Sequence, residues 1–405
     1  MNATVNPSRI FNLCCISLIV TAMTFAIRAG ILGQLGNQFG LSDTELGWIN
    51  AMAFWGFPLA TIFGGVLYNM LGAKKLISLA FVFHVLGLVL TIMASGFWEL
   101  ILSSFMIGFA NGAVEAGCNP LIAATYHNKK VTMLNRFHVW FPGGIVIGAL
   151  LSTLMDSFSF GWQAKVAVIL IPAFIYGFMI FTSAFPQFAK EETSTFGNLK
   201  GLTSPLYILL IICMTLTATT ELGTQQWIEK ILGSTGVSPM IILAMITGLM
   251  AVGRYFAGPV IHRLNPNGIL LGSAIMAALG ILLMSQATGP MIYLAAILFA
   301  IGCTYFWPTM IGCVAVYTPQ TGALGMSLIG GAGMLAVGFW NPVIGSWFDA
   351  ARANASNLNL SAGKIEVIAG QEVLMKLFVF PVILIVVFAA LYWFMRKINS
   401  GAAVH

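Results

Sequence analysis

The sequence of 405 residues has few charged side chains, since Asp, Glu, Lys and Arg together make up only 7% of it. A soluble domain uses about 25% charged residues to cover its surface in water. Hydrophobic residues make up 59% of this chain. The shortage of charge excludes an ordinary water-soluble domain and predicts a protein whose main solvent is lipid.

Residue types that build metal centres and catalytic sites are also scarce, with 6 Cys and 5 His in the whole chain. The cysteines lie in apolar runs and lack the spacing of a metal site or disulfide framework, so we interpret them as buried free thiols. The sequence shows no nucleophile–base pair and no phosphate-binding loop. We therefore expect a protein that is not an enzyme, with no metal and no cofactor. The net charge of +6 comes from scattered Lys and Arg and predicts no nucleic-acid partner.

Apolar runs of bilayer-spanning length are what the sequence has in abundance, because a membrane helix needs about 20 such residues. We interpret the first run as a retained helix, since it is too long for the core of a signal peptide. Gly and Pro fall inside the runs, as they do in membrane helices. The twelve runs cover approximately residues 10–36, 46–70, 76–95, 98–126, 132–156, 162–185, 204–231, 238–262, 267–287, 290–317, 321–348 and 373–396.

A polar segment, "PQFAKEETSTFGNLKGLTS" at residues 186–204, separates six runs from six more. The second run ends with "GVLYNMLGAKK" from Gly65 and the eighth with "GPVIHRLNPNG" from Gly258, 193 residues later. Repeated halves of this kind occur in many secondary transporters, whose site lies between the halves at the midplane. The sequence thus predicts an N-terminal six-helix half at 1–185, a cytoplasmic linker at 186–204 and a C-terminal six-helix half at 205–405.

The twelve runs, the central segment and "GVLYNMLGAKK" together resemble the major facilitator superfamily, whose signature is a glycine-started turn ending in basic residues. This chain has Asn69 and Ala73 where that signature has an aspartate and an arginine. The resemblance implies an all-α membrane protein with twelve transmembrane helices in two pseudo-symmetric six-helix halves. It also implies that helices 1, 4, 7 and 10 line a central cavity.

Five charged residues lie inside the apolar runs, and burying each of them in hydrocarbon costs roughly 3 kcal/mol or more. Each should therefore face a partner or a wet cavity. We interpret Arg254 as a partner of helix carbonyls or of a gate acid, Arg136 as a side chain that reaches the interface, and His84 as a core residue. The five are Arg28, Glu115, Arg136, Glu221 and Arg254.

Glu115 lies at the middle of the fourth run, with Asn111 and Asn119 four residues to either side. This spacing predicts one polar stripe on a helix, which we expect to face the cavity. Beside the stripe runs a ridge of small residues that suits close contact between helices. The ridge consists of Gly108, Gly112 and Ala116.

The seventh and tenth runs combine polar and aromatic residues in the same way. Glu221 and Gln225 lie in the seventh run with Trp227 nearby, and "CTYFWP" places Tyr305 and Trp307 in the tenth. Hydrogen-bonding groups beside aromatic faces suit a sugar-like ligand. We interpret these five residues as candidate substrate contacts.

Arg28 and Glu221 lie 193 residues apart, the same offset as the two repeated motifs. We therefore expect them to face each other across the cavity, either as an ion pair or through the substrate. The alternative is that Arg28 forms a structural ion pair with Glu115.

"EAGCNP" followed by "LNRFHVWFPGG" resembles the fucose/galactose/glucose symporter family. On that resemblance Glu115 matches the family's glutamate for sugar binding and proton linkage, and Asn119 and Asn135 match its asparagines. His138 lies one turn after Asn135 and is open between a pocket role and packing. Arg28 stands where the family commonly has an acidic residue.

The leading hypothesis is a secondary active transporter for proton-coupled uptake of a sugar or sugar derivative, with Glu115 and Glu221 as proton-coupling residues. An alternative is a carrier for an organic anion such as a sugar acid, with Arg28 as a carboxylate clamp. An alternative of another class is a non-transporting membrane receptor or lipid-handling protein, which an apolar lateral opening would indicate. We expect a monomer in the plasma (inner) membrane, surrounded by the lipid bilayer.

The positions of Lys and Arg predict the orientation. Ten of the 18 flank the runs on the side of the termini, five flank them on the other side, and three lie inside runs. Since cytoplasmic loops carry the excess of positive charge, both termini should be cytoplasmic.

We expect Thr195→Cys to react with an impermeant maleimide only after cell lysis, and Ser356→Cys to react in intact cells. Labelling of Thr195→Cys from outside intact cells would contradict the orientation, and the parent protein measures background from the native cysteines.

Overall fold

The computed structural model describes residues 5–126, 130–186, 199–256, 264–358 and 360–402. In these ranges the secondary structure is helical, as predicted. Eleven helices of the described ranges are long and apolar enough to cross a membrane, and a shorter apolar helix occupies the eighth position. The prediction of an all-α membrane protein with twelve spans is confirmed.

We number these helices in chain order. They are α1 (Pro7–Phe39), α2 (Asp43–Gly64), α3 (Met70–Ile92), α4 (Phe97–Thr125), α5 (Arg136–Ser157), α6 (Trp162–Thr182), α7 (Pro205–Gln226), α8 (Pro239–Tyr255), α9 (Pro266–Met284), α10 (Met291–Val314), α11 (Gly325–Ser356) and α12 (Ala362–Phe394).

Local sequence signals set the boundaries of the first helices. The side chain of Asn6 caps α1, and Gly40 ends it with a φ of 62°, a left-handed conformation that glycine adopts at little cost. Ser42 and Glu45 then form a reciprocal capping box at the start of α2. Near the start of α3 the helical backbone is broken at Gly72, where φ is 73° and ψ is 162°.

The repeat of the motif after α2 and α8 stays a prediction, because residues 257–263 after α8 lie outside the described residues. The same holds for the boundary between the halves, since residues 187–198 are also outside them. The side chain of Asn69, at the changed position of the signature, is likewise not among the described ones.

The predicted ridge of small residues packs α4 against α2. A Cβ atom on Gly108 would overlap the backbone carbonyl of Ala53, and one on Gly112 would overlap that of Phe57. In return, a Cβ atom on Gly56 of α2 would lie 2.5 Å from the carbonyl oxygen of Phe105. The expected close contact is confirmed, and it leaves the neighbouring face of α4 for other partners.

The two halves, α1–α6 and α7–α12, meet along two helix pairs. Helix α2 packs against α11, and α5 packs against α8. At the first pair the backbones touch, since a Cβ atom on Gly47 would lie 2.5 Å from the carbonyl oxygen of Asn341. We call the face where α1 begins the terminal face, and the face where α1 ends and α2 begins the distal face.

Candidate functional site

An ion-pair cluster joins the halves at the distal face. The carboxylate of Asp43, 1% exposed, lies 2.9 Å from the Nζ of Lys230 and 2.8 Å from an Nη of Arg352. Asp349 of α11 accepts hydrogen bonds from the backbone N–H groups of Asp43 and Thr44, at 3.0 and 2.9 Å. A residue of one half therefore caps the N-terminus of a helix in the other half, where unpaired N–H groups favour a carboxylate.

A further contact closes α1 against the end of α7. The Oε2 of Glu229 accepts a hydrogen bond from the backbone N–H of Gly33 at 3.1 Å. Glu229 lies in a short helix, Ile228–Leu232, that follows α7. The polar bonds found between the halves concentrate on the distal side, so we interpret this conformation as closed at the distal face.

Arg28 lies deeper between the halves and is 8% exposed. Its Nε donates to the Oδ1 of Asn50 at 2.7 Å, and an Nη donates to the Oε1 of Gln226 at 3.4 Å. The guanidinium also lies over the rings of Phe25 and Phe54, 5.1 and 5.8 Å from their centres. No ion pair of the described residues includes Arg28, so only neutral amides and aromatic faces hold its charge.

Asn341 extends this network into α11. Its Oδ1 accepts hydrogen bonds from Asn50 at 3.3 Å and from the indole N–H of Trp227 at 2.9 Å. Trp227 is fully buried and stacks on Phe348, with ring centres 5.3 Å apart. The candidate substrate contact Trp227 thus has its polar atom bound within the protein in this conformation.

Sequence reasoning missed three residues of the network, Asn50, Gln226 and Asn341. Neutral polar residues are common in membrane helices, and a single one carries little signal. The one available signal was position, since Asn341 directly precedes a proline inside an apolar run and Gln226 follows a candidate site residue.

The expected ion pair between Arg28 and Glu221 is wrong for this structure. The Oε1 of Glu221 lies 3.6 Å from an Nη of Arg254 in α8. The reason is local, because Thr219–Gly223 form one π-helical turn. Such a turn inserts an extra residue and shifts the helix register. An equal sequence offset therefore no longer places the two residues at equivalent positions in the two halves.

Arg254 has a second partner in α10. Its Nε donates to the backbone carbonyl of Thr304 at 2.8 Å. Pro308, four residues later, has no N–H to offer that carbonyl, so the arginine replaces the missing helical donor. The phenol of Tyr305 donates in turn to the carbonyl of Gly253 at 2.9 Å. The interpretation of Arg254 as a partner of helix carbonyls and of an acid is confirmed.

Asn111 does not face the space between the halves. It is fully buried, its Nδ2 donates to the Thr24 hydroxyl at 3.0 Å, and its Oδ1 lies 2.8 Å from the Nε2 of His84. The other ring nitrogen of His84 lies 2.8 Å from the hydroxyl of Tyr176. The expectation that Asn111 lines the cavity is therefore wrong here, because the network inside the N-terminal half satisfies it. The interpretation of His84 as a core residue is confirmed.

Glu115 is half-buried and forms no ion pair among the described residues. Its Oε2 accepts a hydrogen bond from the Nδ2 of Asn119 at 3.4 Å, which is a long contact. The alternative pair with Arg28 is therefore also not found. His138 is exposed, and the side chain of Asn135 lies outside the described ones.

One further candidate, Trp307, is half-buried against an apolar cluster between the halves. Gln225 is 3% exposed, and its Nε2 lies 3.6 Å from the Sδ of Met250. The cluster combines residues of both halves and lies beside the guanidinium of Arg28. It consists of Phe25, Phe54, Phe57, Ala218, Leu222, Met334 and Val337.

Comparison with protein families matches residues 14–341 to the model of the Major Facilitator Superfamily. A probable nitrate/nitrite antiporter of Thermus thermophilus is 32% identical over 113 residues, 27% of this chain and 26% of that protein. The galactose-proton symporter of Escherichia coli is 25% identical over 159 residues, 39% of this chain and 34% of that protein. The chain thus matches only about a quarter to a third of these two curated relatives.

Solved structures share the fold over nearly the whole chain. A nucleoside transporter superposes with a TM-score of 0.75 at 13% identity, covering 95% of this chain and 98% of that one. A D-xylose-proton symporter superposes with a TM-score of 0.72 at 14% identity, covering 92% and 97%. At these identities the likeness concerns the fold alone.

The cluster at Asp43 leads to a prediction about the distal face. Asp43→Asn should open this face, because it leaves Lys230 and Arg352 without their shared carboxylate. Removing one partner of a buried ion pair costs roughly 3–5 kcal/mol, and less where the partners are partly exposed, as here. Spin labels at Ser157 and Asn357, exposed residues on opposite halves at the distal face, measure the change. We expect a longer distance between the labels in the variant.

Glu372→Gln is the matched control, since Glu372 pairs with Lys376 within α12 and not across the halves. It should leave the distance between the labels unchanged. An unchanged distance in Asp43→Asn would show that the ion pairs do not hold the distal face closed.

Proposed function

Because the chain belongs to the major facilitator superfamily, we propose that it is a secondary active transporter for proton-coupled uptake of a sugar or sugar derivative. The observation that carries the proposal is the half-buried carboxylate of Glu115, which has a weak amide partner and no ion-pair partner among the described residues. Such a group binds a proton or a substrate hydroxyl without first breaking an ion pair. The galactose-proton symporter among the relatives agrees with this substrate class.

Each half contributes one carboxylate to this mechanism. Glu115 lies on α4 of the N-terminal half, and Glu221 lies on α7 of the C-terminal half beside Arg254. Protonation removes a charge from apolar surroundings and so changes which conformation is favoured. Substrate then enters at the distal face when the contacts of Asp43 are broken, and leaves at the terminal face when they form.

We propose further that the distal face is external, that both termini are cytoplasmic, and that the protein acts as a monomer in the plasma membrane. The split of Lys and Arg supports the orientation. The substrate contacts proposed in this conformation are Glu115, Asn119, Asn135, His138, Glu221, Gln225, Tyr305 and Trp307, together with Arg28.

A second candidate function follows from the surroundings of Arg28. A buried guanidinium without a carboxylate partner can bind the carboxylate of an organic anion such as a sugar acid. Its present acceptors, Asn50 and Gln226, are neutral. The probable nitrate/nitrite antiporter among the relatives agrees with an anionic substrate.

Glu115→Gln tests the leading proposal, because it keeps the shape of the side chain and removes the titration. The substrate panel is first chosen by the rise in melting temperature that each purified sugar causes, since a ligand of the native state stabilises it. In proteoliposomes we expect uptake driven by a pH gradient to fall at least roughly tenfold, which corresponds to about 1.4 kcal/mol. Counterflow of the same sugar should persist. Glu99→Gln is the matched control, since Glu99 is a half-buried glutamate at the start of α4 whose Oε1 accepts a hydrogen bond from Ser95. Unchanged gradient-driven uptake in Glu115→Gln would refute the role of Glu115.

Arg28→Met distinguishes the two candidate substrates. If Arg28 clamps a carboxylate, galacturonate should raise the melting temperature of the parent protein but not of the variant, whereas galactose should act equally on both. Arg9→Met is the control, since Arg9 donates to Thr182 and Ser183 within the N-terminal half. Equal stabilisation of parent and variant by galacturonate would exclude Arg28 as the clamp.

A further inference from the structure

Helix α10 is interrupted at its middle. Regular helical structure ends at Cys303 and resumes at Phe306, and Tyr305 between them has φ −108° and ψ −1°. Pro308 explains the interruption, because it lacks the N–H that would bond to the carbonyl of Thr304. A missing bond of this kind makes a helix bend at that point.

Helix α8 supplies the hydrogen-bond donor that the Thr304 carbonyl of α10 lacks. The guanidinium of Arg254 donates to the Thr304 carbonyl, and the Tyr305 hydroxyl donates to the carbonyl of Gly253. The helices touch here, since a Cβ atom on Gly253 would lie 2.8 Å from the Cγ2 of Thr304. Two reciprocal bonds therefore join α8 to the bend of α10. We call this contact the α8–α10 joint.

The same guanidinium is also the countercharge of Glu221, at 3.6 Å. The pair is incompletely satisfied, because the Oε2 of Glu221 and the Nη2 of Arg254 are buried without a hydrogen-bond partner. Besides Arg254, the titratable group that faces Glu221 is the thiol of Cys303 in α10. A buried pair of this quality depends on both charges, since losing one strands the other.

We propose that Arg254 is a positioning residue that transmits the protonation of Glu221 to the bend of α10. While Glu221 is ionised, the guanidinium is held between its carboxylate and the Thr304 carbonyl, and the joint fixes the bend. Once Glu221 binds a proton, the guanidinium loses its countercharge and turns away from the joint. The Thr304 carbonyl is then without its donor, and α10 changes its bend. The inference rests on the proposed proton coupling and names the route by which it reaches the helix.

Pro308→Ala tests the bend of α10 without changing the charges of Glu221 and Arg254. Alanine restores an N–H at position 308 that can donate to the Thr304 carbonyl in a regular helix, while Glu221 and Arg254 both stay in place. Arg254→Lys is the second variant, because an ammonium keeps the charge but lacks the planar fork that serves two acceptors at once. Pro58→Ala is the matched control, since Pro58 is a helix-interior proline of α2.

The experiment measures the distance between spin labels at Ser157 and Asn357 in the full-length protein at pH 5 and pH 8, without substrate, so the proton is the only ligand. The six native cysteines are buried, which favours labelling at the two introduced sites. We expect the parent and Pro58→Ala to change their distance distribution with pH. Glu221→Gln, Pro308→Ala and Arg254→Lys should each lose that change, and melting temperatures show which variants are folded.

The outcomes distinguish a failure of the α8–α10 joint as the route from a failure of Glu221 as the proton site. A full response to pH in folded Pro308→Ala or Arg254→Lys, with loss in Glu221→Gln, would overturn the joint as the route and leave Glu221 as a proton site. A response in all three variants, or none in the parent, would overturn both the joint and the role of Glu221. Gradient-driven uptake by the parent protein tests the transport function independently of these results.

Discussion

A charge placed among apolar helices needs a countercharge or a hydrogen-bonding group, and the rest of this structure depends on which partner each charge has. Asp43 has two cations from the other half. Glu221 has one arginine at a long distance, and Arg28 has, among the described residues, amides and aromatic faces but no carboxylate. Glu115 has little more than a neighbouring asparagine. The better a charge is paired, the more its role is structural, and the incompletely paired ones are those that a proton or substrate can still change.

The fold could be read from the sequence because lipid leaves few choices. The length and apolarity of the runs fix the spans. Backbone polar groups in lipid need hydrogen-bond partners inside the protein, and a helix supplies most of them. Small residues at helical spacing predicted the close contact of α4 with α2, since only glycine allows a backbone to approach as Gly108 does. The partner type of Arg254 was also predictable, because a charge near a helix end has few acceptors to choose from.

The site was predicted less well, because it depends on helix register and rotation. One π-helical turn was enough to pair Glu221 with Arg254 instead of Arg28. Sequence spacing put Asn111 on the stripe of Glu115, but it could not show that His84 and Thr24 would bind its amide. The cluster around Asp43 could not be predicted for another reason: an acid in the first turn of a helix is ordinary, so its sequence position does not indicate a contact with the other half.

The distal cluster also makes the transporter sensitive to the solution around it. When the face is closed, the carboxylate of Asp43 in one half lies within about 3 Å of the cations of Lys230 and Arg352 in the other half, and Arg352 also pairs with Glu366. When it opens, the opposite charges separate into water, where dissolved ions screen each of them over about 8 Å at physiological ionic strength. Salt thus lowers the electrostatic work of separating the halves without binding to any site. The balance between the closed and the open distal face is in this way tied to the ionic strength of the solution on that side.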